Sequence, residues 1–498
     1  MEFGPERGAS GSDAVKDVLA RSVEAAGAQE LAHAIRTERK WRDNYVGHLL
    51  AVQEFMLASD ETCKETARAG LEALYDTMHW KGTRLADVHV EPATTRFGTG
   101  SVKGKGRVDE FWLPVPRVSS AQTVLAADRT KEVKRIESVE AILAEIKDWI
   151  KQGIAEPNVL DNMTRMLRDH PEWLDLRGQR FVVLGASSQM GPTRALLRLG
   201  ATVIAVDLPG ARIWDKLISF AENSGGELIF PTDQEGNPGA NVINDMPDLV
   251  SWIVSCIPEG ERAVLGSYLY MDGASFVRVV VASDYIAREV QRLRPEVVLS
   301  YLCSPTEPFC LPEEALEFAQ QTAKARAWTH PGDKLLRALT LGYTLLPNEA
   351  IREPKSSRLL QDSYVPEQGP NYAFAKLVQR WRTILSGPTK AIANVAPASL
   401  TRSVMSNRLL RWGILGCERF GVVPFLPETA NAIMTALMLH DLNFHDDKIK
   451  AYAVHPMVTY QSSAVHGGTW RCAFKTSSAT KISVLVFAYN RINPMSRL

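Results

Sequence analysis

Two residues in the stretch "GPNYAFAKLVQRW" carry side chains suited to proton chemistry: Tyr372 and, four positions on, Lys376. On a helix, positions i and i+4 share a face, so a phenol and an ammonium there would point at the same reactant. A free phenol has a pKa of ~10 and is a poor base near neutrality; a nearby ammonium favours the phenolate and brings it into a useful range. The spacing alone carries little weight, because with 12 tyrosines in 498 residues chance supplies roughly 0.5 Tyr-x-x-x-Lys matches. An exposed tyrosine and lysine on an amphipathic helix would look the same. Meaning must come from the elements that position the pair.

Upstream lies "RFVVLGASSQMGPTRALLRLGATVIAVDLPG". A buried strand delivers Gly185 to a tight turn through Ser187, Ser188, Gln189 and Met190, and a helix is expected to open at about Gly191, with its first-turn N–H groups facing a bound diphosphate. The next strand ends at Asp207, at the spacing of ~20 residues expected of an acid on an adenosine ribose. A carboxylate there accepts from both ribose hydroxyls and repels a 2′-phosphate, so NAD(H) is expected over NADP(H), with Arg212 as the residue that would reverse the preference. The bland alternative is a parallel-sheet turn that uses glycine for geometry only.

The wider pattern divides the chain. Residues 1–12, "MEFGPERGASGS", read as a disordered tail without an apolar run. Residues 13–174 are mainly helical by periodicity, with Ile136, Val139, Ile142, Leu143, Ile146 and Ile150 on one face of a helix. Within them "TTRFGTGSVKGKGRVDEFWLPVPRV" reads as an irregular connection. From 175 to 455 strand-like and helical runs alternate, the signature of an α/β fold with a doubly wound parallel sheet. Its landmarks are "ELIFPTD", a long variable stretch, "EVVLSYL", the helix after Pro312, the tyrosine helix and "KAIANVAP". Residues 456–498 form a C-terminal extension whose run "ISVLVFAY" has strand length.

In that order the segment 176–455 resembles a short-chain dehydrogenase/reductase, a Rossmann-fold family using NAD(H) or NADP(H). The resemblance rests on "LRGQRFVVLGASSQMG" for the opening strand and glycine loop, with Leu184 and Gln189 at positions of threonine and glycine. It continues with "PTD" for the acidic adenine-contacting turn, "YAFAK" for the active-site pair, "IANVAPASLTRSV" for the closing strand and loop, and "LPETANAIMTALM" for a late helix. It implies that Tyr372 relays the substrate proton, that Lys376 lowers its pKa and holds the ribose, and that a serine polarises the carbonyl. Ser363 and the Ser356/Ser357 pair are candidates for that serine. Asp233 would contact adenine and Thr401 the nicotinamide amide. The asparagine turn of the family is sought after "EVVLSYL", where "CSPTEP" stands instead, and the long interval between glycine loop and tyrosine implies insertions within 234–280 and 330–370. A homo-oligomer is expected by the same analogy.

Composition narrows the alternatives. Lys plus Arg and Asp plus Glu balance at 57 each, which provides no basic excess for nucleic acid or anionic lipid. No run approaches the ~18 apolar residues of a membrane span. Six scattered cysteines without zinc-ligand spacing read as reduced thiols in a cytoplasmic setting, and His440, His445, His455 and His466 as structural rather than metal ligands. The leading expectation is an NAD(H)-dependent oxidoreductase interconverting an alcohol and a ketone or aldehyde. Two alternatives stand beside it: a cofactor-retaining epimerase or lyase, and a non-catalytic nucleotide-sensing scaffold.

Overall fold

The computed structural model describes residues 1–3, 11–90, 94–116 and 133–492. Its centre is a seven-stranded sheet: β1 (Gly98–Lys103), β2 (Arg180–Leu184), β3 (Thr202–Val206), β4 (Glu227–Thr232), β5 (Ala263–Ser267), β6 (Val298–Cys303) and β7 (Ala391–Val395), in spatial order β7-β6-β5-β2-β3-β4-β1. Strands β2 to β7 run parallel, and β1 pairs antiparallel with β4 at the edge. The parallel strands are mostly Val, Ile, Leu and Ala because both of their faces are covered. Val182, Leu184, Ile204, Val206, Leu265 and Leu299 belong to one core, and their neighbours Phe181, Val183, Val203, Ala205, Val264 and Val298 to the other, the period-2 alternation of a strand.

The first core takes in α1 (Gly11–Ala25), α2 (Gln29–Thr37), α3 (Trp41–Leu57) and α4 (Asp60–Thr77) together with α5 (Met246–Cys256), α6 (Ala274–Leu293) and α7 (Pro370–Ser386). The second is closed by the helices Val139–Lys151, Thr193–Arg198, Ala211–Glu222 and Pro427–Asn443. Residues on both sides of position 175 therefore share both cores. Tyr75 of α4 donates to Asp284 of α6 at 2.8 Å, and Arg382 of α7 pairs with the same carboxylate at 2.7 Å.

Several sequence expectations meet different local structure. Glu2–Phe3, assigned to the tail, pair antiparallel with Met78–His79; 4–10 lie outside the described residues. The Gly-rich connection contains β1, whose Gly100 faces the Phe230 ring so closely that a Cβ would stand 2.3 Å from it. The variable stretch 234–280 contributes α5, β5 and the start of α6 to the sheet and its cover. "ISVLVFAY" lies within the helix Thr476–Ile492, because a short apolar run does not by itself separate a strand from a buried helix. The extension is stapled to the rest: buried Glu156 accepts from Arg471 Nη2 at 2.6 Å and pairs with His466 at 3.0 Å. Burial works to raise the Glu156 carboxyl, but the Arg471 and His466 hydrogen bonds overcome it and hold it at about 2.

Candidate functional site

After edge strand β1, the parallel strands begin at β2, fill one side with β3 and β4, then cross to β5, β6 and β7, so the topology switches between β2 and β5. Open α/β sheets bind ligands outside the carboxyl ends of the strands at such a switch. The 185–191 loop stands there. Gly185 has φ 83°, and a Cβ at that position would lie 3.2 Å from the Leu269 backbone nitrogen; the loops after β2 and β5 thus pack directly on one another.

The loop satisfies most of its own donors. Gly185 N and Ala186 N donate to Val206 O at 2.8 and 3.2 Å, Ser187 N to Asp207 Oδ2 at 2.7 Å, Ser188 N to Gly185 O at 3.0 Å and Gly191 N to Ser188 O at 3.2 Å. Asp207, expected to hold a ribose, is buried and also accepts from Leu208 N at 2.8 Å. The helix begins at Thr193, not Gly191, and has six residues. Gln189, at the expected glycine position, accepts from Arg402 N at 2.7 Å and so bridges the loop to the segment after β7.

Beside this loop opens a cavity of about 530 Å³, lined by Ser187, Ser188, Gln189 and Gly191, by the Phe111–Trp112 segment and by the start of the helix Pro427–Asn443. Five cations reach it, Arg194, Arg198, Arg212, Lys216 and Arg402, against the carboxylates of Glu110 and Glu428. None of the five forms an ion pair within 4 Å among the described residues; Arg198 lies over the Trp112 ring at 4.8 Å instead. The cavity is lined by more cations than carboxylates and is partly aromatic.

The tyrosine pair lies two strands away. The Lys376 ammonium donates to Leu302 O on β6 at 2.9 Å and to Gln379 Oε1 at 3.1 Å. The Tyr372 ring is half-buried, stacked on Phe276 at 5.5 Å and beside Tyr270 at 6.4 Å. Burial raises the phenol above its usual range, the Ser304 side chain lowers it through a hydrogen-bonding contact, and Glu307 and Tyr270 raise it further. The expected lowering by Lys376 is not what dominates here: the ammonium is tied to the strand.

Ser304, the first residue after β6, is the hydroxyl beside Tyr372, and sequence reasoning missed it. Its signal was a serine directly following the strand run "EVVLSYLC". That run is the fifth parallel strand in chain order, after β5, so the asparagine turn was sought one strand too late. Ser363 is fully buried, with its hydroxyl donated to Gln361 Oε1 at 3.0 Å. Ser356 Oγ is donated to Leu57 O at 3.2 Å. Asp233 is exposed and closes its own turn, accepting from Glu235 N at 2.9 Å and Asn237 N at 2.8 Å. Thr401 precedes the short helix Arg402–Ser406, with Oγ1 3.1 Å from Ser403 Oγ.

Beneath Tyr372 lies a polar group with unused capacity. Glu307 accepts from Ser304 N at 2.5 Å through Oε1, while its buried Oε2 has no hydrogen-bond partner. Burial raises the Glu307 carboxyl against the pull of Arg380 and Lys376. Arg380 donates one N–H to Pro308 O at 2.7 Å and keeps Nε and Nη2 buried without partners.

The four late histidines have protein partners, among them Asp441 for His440 at 3.0 Å and Met56 O for His455 at 3.2 Å. Five cysteines are buried and Cys256 is half-buried, all as free thiols. No helix among the described residues is long and apolar enough to cross a membrane. Compared with known proteins, the chain matches no family model and no curated protein.

Proposed function

We propose that this chain is a nicotinamide-dependent reductase of the short-chain dehydrogenase/reductase type, acting on a ketone or aldehyde. One observation carries the reading: Lys376 of the tyrosine helix donates to Leu302 O, two residues before Ser304, so Ser304, Tyr372 and Lys376 stand together at the carboxyl end of β6. They do so on a sheet whose order, counted along the chain from β2, is the 3-2-1-4-5-6 of Rossmann dinucleotide folds. The bound cofactor supplies the hydride. Ser304 hydrogen-bonds the substrate oxygen, Tyr372 donates its proton to that oxygen as negative charge develops, and Lys376, held by Leu302 O, keeps the tyrosine helix in register with β6. A raised phenol pKa keeps the proton on Tyr372 available for the reduction step.

For the cofactor, the residues present fit a phosphate-bearing nucleotide through side chains. With most loop N–H groups committed, Arg212, Lys216 and Arg402 are the available partners for phosphate oxygens. Asp207 spends its carboxylate on Ser187 N and Leu208 N, and the neighbouring Arg212 and Lys216 favour NADP(H) over the NAD(H) expected from spacing. A titration of the purified protein with NADPH and NADH tests this, with NADPH the tighter ligand; binding of neither overturns the reading. A second reading, a non-catalytic anion sensor, is favoured by the internally satisfied loop. It requires Tyr372→Phe to leave every measured activity intact.

A further inference from the structure

Charge balance over the whole chain hides a local asymmetry. Among the described residues, five of the 15 large apolar residues exposed on the surface fall within 328–343, and Trp328, Leu339, Leu341 and Tyr343, at 88, 71, 86 and 74%, are more exposed than any of the other ten or Leu335. They belong to a helical hairpin of Glu313–Thr329 and Pro331–Leu339, whose helices are tied by Arg326 and Asp333 at 2.7 Å. Leu336 on the inner side packs against the buried cluster that includes Leu345, Phe420 and Ile482. Leu335 and Leu339, an i,i+4 pair, face outward.

Two further observations point to an occupant. Between 324 and 343 the charged residues are Lys324, Arg326, Asp333, Lys334 and Arg337; with Asp333 buried against Arg326, the exposed charge is all positive. Leu341 also has φ 50° and is followed by Gly342 at φ 80°. A left-handed backbone is unfavourable for a residue with a side chain, and the leucine held in it here is 86% exposed. Trp, Tyr and Leu beside Lys and Arg, with no free acid, is the composition of a segment lying in a bilayer interface. A two-fold contact between copies would instead set the same cations against one another.

We propose that the 324–343 hairpin docks the protein on an anionic phospholipid surface. The five apolar side chains enter the headgroup–acyl boundary, and Lys324, Lys334 and Arg337 lie against lipid phosphates. The test is co-sedimentation of the full chain with phosphatidylcholine vesicles and with phosphatidylcholine–phosphatidylserine vesicles, paired with light scattering of the protein alone. Wild type should pellet with the anionic vesicles and be released by salt. The double variant Leu339→Asp, Leu341→Asp should lower partitioning by about tenfold or more. Leu341→Asn, suited to the left-handed backbone, should keep its melting temperature and still lose binding severalfold. Absence of vesicle binding, equal binding to both vesicle types, or a dimer that the aspartate variants dissolve would each overturn the proposal.

Discussion

The two ends of the carboxyl edge spend their polar groups differently. At the glycine loop most backbone donors are used internally, down to Asp207 accepting from Ser187 and Leu208, and the free capacity lies in five side-chain cations around a cavity and in the buried Thr193 hydroxyl. At the tyrosine end the backbone is equally settled, but buried side chains keep unused groups: Glu307 Oε2, Arg380 Nε and Nη2, and the Tyr301 hydroxyl. A buried polar atom without a partner costs about 1–3 kcal/mol, and such costs cluster where chemistry requires them. The loop end therefore offers its polar capacity mainly through side-chain cations, and the tyrosine end through buried groups held in place.

The largest effect should come from breaking the tyrosine end. Tyr372→Phe removes the proposed acid without altering the ring that stacks on Phe276. The expected outcome is a fall in kcat of about 10²–10⁴-fold, with NADPH affinity within about twofold of wild type by fluorescence titration. Ser304→Ala should cost about 10²-fold in kcat by loss of the hydroxyl aimed at the substrate oxygen. Ser363→Ala should leave kcat within about twofold, since that hydroxyl serves Gln361. Equal losses from the two serines would erase the distinction between them.

That distinction also measures what the sequence discloses. Strands β2, β3, β4, β6 and β7 are legible because burial on both faces writes them as mostly apolar runs, interrupted within only by Ser300 and Asn394. Strand β5, "AVLGS", is shortened by Gly266 and Ser267, and edge strand β1 looks like a loop because Gly98 and Gly100 lie opposite Thr232 and Phe230. Without β5 the strand count slips by one, and Ser304 goes unrecognised although its neighbour Tyr372 is found. The tyrosine pair survives because i,i+4 spacing on one helix is local. The cavity does not, because Arg194, Arg212, Arg402 and Trp112 come together only through the fold.

At the loop end, Arg212→Ala with Lys216→Ala should weaken NADPH binding by about 10–100-fold, the loss of one or two charge-assisted hydrogen bonds. NADH binding should change far less. If both cofactors weaken together, the cations serve the shared diphosphate and not a 2′-phosphate. Asp207→Ala is the poorer probe, because it leaves Ser187 N and Leu208 N without their acceptor and should lower the melting temperature as well.

The smallest effect expected is on the pH dependence of reduction, and it discriminates most sharply between a phenol and a phenolate at Tyr372. Burial, with Glu307 and Tyr270, holds the phenol above its ordinary pKa of ~10, so the proton it must donate is present at every pH from 6 to 9. Deprotonation of Tyr372 should therefore produce no fall in the reduction rate across that window. In the reverse direction the same shift makes the required base scarce, and the rate of alcohol oxidation should climb by about tenfold per pH unit over the same range. A reduction rate that drops with a midpoint between pH 6 and 9, and loses that midpoint in Tyr372→Phe, would mean that the Lys376 ammonium overcomes burial in the working enzyme. The tyrosine end would then be tuned by charge, as the loop end is, and the contrast between the two would disappear.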